Sequence, residues 1–536
     1  MIARTASGKS VSRFLYGAAL IIIFALAAWQ RFSIPLEPIA DPDTWGYLSP
    51  ALGKLSGAEF GHAHGRNFVY PGFLFLLLRA FGDFRAITIA QHLLGLSAGA
   101  IFLLTWRRLR IFVPDSRIAP AHHEVLGLAG AAIYILTIEP ILFEKQIRPE
   151  GVCGFVLSIN LFAIIQFVAC GFIERRRTSA VAYGIAVAFT SVLLASIKPS
   201  FWFVAIVDLV PVAFFFFQRG WLRQQIALGI GVVTSAGLLL WPEHLLGRND
   251  EASRTFLPTT LFVMHANLIR DQMAEDLERA AKVPYPREWL ERVYATLNAE
   301  IAKASAPSTH FPSLGFDPNY LMYHETSIGA QLRREFGRDL KGRCGFYRFY
   351  YWRIWQQRPL AMIEKIARQM SIFYAPKCPV YNWRKDRALA DGYSRSVTSL
   401  GHESYRKIAL IYAPASDSLI RTEALARNAP VAQQRRLIRM AVSLLAINYL
   451  PSLMVALVLI ARVLSHAERR KRLAWLAAFV LFAYLYNAVS CLEVAIVNSL
   501  DVRRYLTVQM YATVLAQFLA LWFILEFALE NRERPT

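Results

Sequence analysis

About ten separate stretches of this chain are apolar over roughly 17–25 residues, the length a helix needs to cross a bilayer. They lie near 14–31, 85–105, 124–143, 151–173, 179–197, 200–217, 224–241, 439–462, 472–492 and 506–529. No soluble core of this size needs so many long apolar runs. With 536 residues, 55% of them hydrophobic, the chain reads as an all-α polytopic membrane protein. Its expected parts are an N-terminal transmembrane module (1–241), an outer region (242–438) and a C-terminal transmembrane module (439–536).

The net charge of +21 would suit a nucleic-acid binder, but its placement does not. "WRRLR" (106–110), "ERRRTS" (174–179), "QRGWLRQQ" (218–225) and "HAERRKR" (466–472) occupy alternate short loops. If the N-terminus is cytoplasmic, all four face the cytoplasm, as positive-inside topology requires. The C-terminus joins them, because ten spans is an even number. Nucleic acid is therefore not an expected partner. The basic, then apolar, start of the chain also fits a cleaved signal peptide, although its apolar run is long enough to span.

The opposite face receives 32–84, "EKQIRPEG" (144–151), "SIKPS" (196–200), 242–438 and "NSLDVRRY" (498–505). Within 32–84, "DTWGYLSPALGKLSG" and "YPGFLFLLLRAFG" have apolar residues at helical spacing, are too short to span, and end in glycine. They predict two interfacial helices. The aromatic and basic stretch 344–376 predicts a further interfacial helix, and residues of these types also bind anions or stack on sugars. Cys344 and Cys378 would be able to pair if that region is extracytoplasmic; spacing alone leaves this open. Cys153 and Cys170 share a span and read as packing residues.

Chemistry concentrates on that outer face. Asp41 and Asp43 form an Asp-Pro-Asp step stiffened by Pro42. Arg148 and Glu150 flank Pro149 at the start of a span, where Glu150 also suits the helix dipole. Lys198 sits in a loop so short that it must lie at the membrane boundary. Arg503 and Arg504 precede the last span. Arg148, Lys198, Arg503 and Arg504 are cations on the side where topology disfavours them, which points to a bound anion such as a lipid phosphate. Carboxylates facing such cations suit group transfer: an acidic base takes a hydroxyl proton, and the cations stabilise a departing phosphate. A polyprenyl-phosphate-linked sugar would be the donor. His62 and His64, with Asp41 and Asp43, would also suit a divalent metal such as zinc or manganese, or serve simply as polar loop residues.

These segments, in this order, resemble the GT-C superfamily of membrane glycosyltransferases, in particular the bacterial relatives of the protein mannosyltransferases and of the aminoarabinose transferases. Asp43-Thr-Trp-Gly-Tyr47 matches the family's Asp-x-x-x-Tyr, "RNFVYPGFLFLLLRAFG" its next element, and "RPE", "KPSFWF" and "RRYLTVQMY" its later ones. Asn67 and Phe68 stand where the family has prolines, and prolines are also missing after Tyr505. The resemblance implies a GT-C-like bundle and transfer with inversion. It implies Asp43 as base, Asp41 as its auxiliary and Glu150 as a second acid. Lys198 and Arg504 become donor-phosphate ligands, helped by Arg148 and Arg66. Tyr47, His62, His64, Tyr70, Arg503 and Tyr505 are expected around the substrates. The acceptor, whether lipid, glycan or protein, is unspecified. The expected location is a bacterial inner membrane, with the site on the periplasmic side. The competing expectations are a transporter or lipid flippase, and a non-catalytic scaffold. The chain shows no internal repeat of the kind transporters often have.

Overall fold

A computed structural model describes residues 3–61, 67–248, 250–305, 310–381 and 384–532. Among them the chain is helical apart from one short ribbon, in which β1 (Asp386–Ala388) pairs antiparallel with β2 (Val431–Gln433). The first half contains α1 (Ala3–Phe32), α2 (Thr44–Leu55), α3 (Val69–Phe81), α4 (Arg85–Leu109), α5 (Pro120–Leu136), α6 (Ile138–Glu144), α7 (Glu150–Val168), α8 (Arg177–Ile197), α9 (Trp202–Asp208), α10 (Val210–Phe215) and α11 (Leu222–Gly247). The outer region adds α12 (Glu251–Met264), α13 (Ala266–Glu278), α14 (Arg287–Ser305), α15 (Pro318–Tyr323), α16 (Ile328–Phe336), α17 (Leu340–Gln357), α18 (Pro359–Phe373), α19 (Leu389–Leu400), α20 (Glu403–Ala409) and α21 (Ala413–Asn428). The chain closes with α22 (Arg436–Ser465), α23 (Ala467–Val497), α24 (Arg504–Thr507) and α25 (Met510–Arg532).

Eight helices among the described residues are long and apolar enough to cross a membrane, and α5 with α6, bent by 51°, is a ninth if the pair is one span. That is fewer than the ten continuous spans expected, for a local reason. The segment expected at 200–217 is broken into a 3-10 turn, α9 and α10. Pro199 and Pro211 each remove a backbone donor there. The pieces still run the height of α7: Lys198 meets Glu150 at its start, and Gln218 Nε2 donates to Gly171 O at 3.3 Å beyond its end. Polar side chains cover the break. Phe203 N donates to Glu493 Oε2 at 2.8 Å, and Ser191 Oγ donates to the buried Asp208 Oδ2 at 3.0 Å.

The bend between α5 and α6 follows the same logic. Pro140 cannot donate to the Leu136 carbonyl, so the helix breaks one turn earlier. Several polar groups around the break find partners. Thr137 Oγ1 donates to Ile133 O at 2.5 Å, Arg31 Nη1 to Ile135 O at 2.7 Å, and Ile138 N to Gln434 Oε1 at 2.7 Å. Arg31, wholly buried, also grips Glu144 through Nε and Nη2, both at 2.8 Å. His92 Nδ1 lies 2.7 Å from the same carboxylate. Gly95 is required here, since a Cβ would stand 1.9 Å from Glu144 Oε1.

The two ends of the bundle differ. At one end the basic loops converge: Arg108 pairs with Glu174 at 2.8 Å, Arg177 lies 5.4 Å over Trp221, and Arg472 pairs with Glu530 at 2.8 Å. At the other end lie the two expected short helices. α2 runs out into Gly57 (φ 89°), and α3 is capped by Gly82 (φ 60°). Helices α19–α21 clamp the chain entering α2: Arg421 Nε meets Glu37 Oε2 at 2.6 Å, and Ala40 N donates to Ser396 Oγ at 2.9 Å.

Helices α12–α17 form a cap with its own apolar core. The first half of the stretch read as interfacial belongs to that core instead: Phe346, Tyr347, Tyr350, Tyr351 and Ile354 of α17 are buried, while Leu360 and Ile363 of α18 are exposed. On α17 Arg343 pairs with Glu251 at 2.5 Å and Arg353 with Asp276 at 2.6 Å. Cys344 sits in this cap, while Cys378 is buried in the main core, and both are free thiols. They therefore do not pair.

Removing Glu144 strands a buried guanidinium. Glu144→Ala should cost about 3–5 kcal/mol, and Arg31→Met/Glu144→Leu should recover much of that loss. Thermal unfolding in detergent checks this. A double variant no more stable than the single one would refute the pairing as the source of the loss.

Candidate functional site

The site starts from a short parallel bridge between Ile39 and Gln146. Ile39 N donates to Lys145 O at 2.7 Å, and Ile147 N donates to Ile39 O at 3.1 Å. This lays the entry to α2 against the residues that precede α7. Asp41 then makes an Asx turn: its Oδ1 accepts from Asp43 N at 2.9 Å and from Thr44 N at 3.1 Å. Thr44 Oγ1 accepts from Asp41 N at 2.9 Å. The turn uses one oxygen of Asp41. Its other oxygen and the Asp43 carboxylate face Arg148.

Arg148 joins the two acids. Its Nε pairs with Asp41 Oδ2, and its Nη2 lies 2.9 Å from Asp43 Oδ2. Arg504 Nη1 reaches that same Asp43 oxygen at 2.6 Å. Burial, and then the nearby Arg504 charge, pull the Arg148 guanidinium down to a pKa of about 10. Burial opposes charge on Arg504 too, but Tyr505 and Asp43 outweigh it and hold that guanidinium above its ordinary value.

A second pair lies deeper. Lys198 Nζ sits 2.7 Å from Glu150 Oε1, with both side chains under a tenth exposed. Tyr505 links it to the first group: Lys198 Nζ lies 4.7 Å and Arg504 Cζ 5.3 Å from its ring centroid. Three carboxylates and three cations thus sit together at one end of the bundle. Asp43 is the most open of the acids, with its side chain 34% exposed.

The structure brings together Asp41, Asp43, Arg148, Glu150, Lys198, Arg504 and Tyr505. Tyr70 and Tyr47 support them from beside: their rings meet at 5.5 Å, and the buried Tyr70 OH donates to Gln91 Oε1 at 3.1 Å. Arg503 does not join this group. It is exposed and lies toward Arg384, Arg387 and Glu139. Successive helical residues point about 100° apart, so Arg503 and Arg504 cannot face one site. His62, His64 and Arg66 fall outside the described residues. Among those described, no group of three or more His, Cys, Asp or Glu side chains is arranged to hold a metal.

Two supporting layers were not anticipated from the sequence. One is the buried set Arg31, His92, Gln91 and Glu144. Gln91 Nε2 donates to Glu144 O at 2.8 Å and Gln146 O at 3.0 Å, fixing the chain just before Arg148. The other is the grip of α18 on the loop that leads to Arg504. Lys365 Nζ donates to Ala495 O at 2.6 Å, and Gln369 Oε1 accepts from Leu500 N at 2.7 Å. A cation at the end of α23 also suits its dipole. The only signal in the sequence was a polar residue recurring on an apolar helix face.

No family model matches the chain, and no curated protein or solved structure matches it.

Burial brings Lys365 and Lys145 down to pKa values of about 7. Between pH 7 and the ordinary lysine range, the unfolded chain holds protons that the folded chain has released, so stability rises with pH across that window. Tm in detergent should climb from pH 7 to pH 9, and Lys365→Met should flatten the climb. An unchanged slope in the variant would remove Lys365 as a source.

Proposed function

We propose that the chain is a membrane glycosyltransferase, of the GT-C kind its sequence resembles, that moves a sugar from a polyprenyl-phosphate donor to an acceptor hydroxyl. One observation carries the reading. Two carboxylates from a single turn are interlocked with guanidinium groups from two distant segments, at one end of a membrane-type bundle. Such a site offers a base beside phosphate ligands, at the height of a lipid headgroup.

In this reading the acceptor oxygen attacks the anomeric carbon while Asp43 takes its proton. The bond from that carbon to the phosphate oxygen breaks on the opposite side, giving inversion. The electron pair leaves with polyprenyl phosphate, whose added negative charge is met by Arg504, Lys198 and Arg148. No general acid is needed, because phosphate is already a good leaving group. Asp41 keeps the turn and Arg148 in place. Glu150 holds Lys198 toward the donor. The acceptor is a lipid, glycan or protein hydroxyl, and in this reading the outer region contributes to its choice. A divalent metal, if one is used, would be held by Asp41 and Asp43 with His62 and His64. The location that fits is a bacterial inner membrane, with this end of the bundle toward the periplasm and the basic loops toward the cytoplasm.

The transporter or flippase reading draws on Asp208, a buried carboxylate midway along a broken span. Intramembrane carboxylates on discontinuous helices are typical of coupling sites. The ion-paired cluster, however, is at the end of the bundle rather than midway, which favours the transferase.

The test is release of free polyprenyl phosphate from a panel of polyprenyl-phosphate sugars in nanodiscs with membrane lipid extract. Asp43→Asn should lower turnover by about 10²–10⁴-fold while donor binding persists. Lys198→Met and Arg504→Met should weaken donor binding itself. Substrate movement across the bilayer that is lost with Asp208→Asn, without any sugar release, would establish the transporter instead.

A further inference from the structure

Arg503 belongs to a second cationic surface at the same end of the bundle. It is exposed and stands near Arg384, Arg387 and Glu139. Arg387 pairs with Glu139, which sits on α6 just past the bend. The β1–β2 ribbon sets Arg387 opposite Ala432, and Gln434 N donates to Lys385 O at 2.8 Å. The ribbon therefore places Arg384 and Lys385 beside Arg435 and Arg436, where α22 begins. Arg384, Lys385, Arg435, Arg436 and Arg503 are all exposed. With Arg387 they make six cations, and Glu139 and Asp386 supply two carboxylates among them.

Topology does not account for this surface, because the short basic loops lie at the opposite end. Packing does not account for it either, since like charges brought together repel. Burial, and then Arg384 and Arg387, lower the Arg503 pKa. Arginine's planar guanidinium can donate two parallel hydrogen bonds to an oxyanion such as phosphate, so a cluster of arginines suits that group. The surface beneath identifies what carries that anion. Leu437, Met440, Leu444 and Ile447 are exposed and form one stripe down α22, starting directly below Arg436. α22 is one of the helices long and apolar enough to span, so this stripe faces lipid, and the cations above it stand where the headgroup of a lipid packed on it lies.

We propose that this patch binds the phosphate-bearing headgroup of an anionic membrane lipid, with its acyl chains along the α22 stripe. The site is separate from the Asp43 cluster, since Arg503 turns toward the patch and Arg504 toward Asp43. It does not depend on the transferase reading.

The test is native mass spectrometry of protein taken from nanodiscs containing equal phosphatidylglycerol and phosphatidylcholine. Wild type should retain phosphatidylglycerol preferentially. Arg384→Gln/Arg435→Gln/Arg436→Gln should reduce that preference by about a hundredfold, at roughly fivefold for each charge near the surface. The matching triple lysine variant should keep most of it, which separates charge from misfolding. Removing three charges at the other end, Arg176→Gln/Arg223→Gln/Lys471→Gln, should leave it unchanged. Equal retention by wild type and the Arg384 triple variant would overturn the proposal. So would an equal loss in the far-end variant, or displacement by inorganic phosphate without any lipid preference.

Discussion

The buried pair of Arg31 with Glu144 is the joint on which the rest of this end of the molecule depends. A bilayer-facing bundle has little hydrophobic drive to fix the angle at which one helix bends. Here the bend is fixed by polar groups that have no water to turn to. Arg31 satisfies a carbonyl freed by the break, and its remaining donors hold the carboxylate on the far side of it. From Glu144 the chain runs directly through the bridge at Ile39 to Arg148. The position of the most buried arginine of the site therefore descends from a contact made by the first span.

The same arrangement explains why the candidate residues come from such distant parts of the chain. Asp41 and Asp43 follow the first span, Arg148 and Glu150 precede another, Lys198 ends a third, and Arg504 leads into the last. Each sits at a helix end, where backbone groups are unsatisfied and side chains are drawn into capping and pairing. The loop bearing Arg504 is held in turn by Lys365 and Gln369 of α18, so the outer region is joined to the site rather than merely set over it.

Much of this was legible in the sequence. Apolar length marked the spans, and Gly57 and Gly82 marked the ends of the two short helices. Asp43, Arg148, Lys198 and Arg504 stood out because charge beside lipid is costly. What failed did so for identifiable reasons. Hydropathy counted 200–217 as a span, although Pro199, Pro211 and Asp208 were there to break it. The aromatic stretch around Tyr350 was read by composition as interfacial. Its helical spacing, with Phe346, Tyr347, Tyr350, Tyr351 and Ile354 on one face, is that of a core helix. Arg31 and Glu144 are 113 positions apart, and no local pattern couples residues at that distance.

The site at rest is electrically closed: each of its three carboxylates already has a cation. An incoming phosphate is therefore a rival to Asp41, Asp43 and Glu150 for the same partners. On the transferase reading, this competition sets an order of events. Until a donor arrives, Arg504 and Arg148 both hold Asp43. On that reading, a donor that draws both away leaves the carboxylate to meet the acceptor hydroxyl. Under that proposal the salt bridges would act as a safety catch that the substrate itself releases.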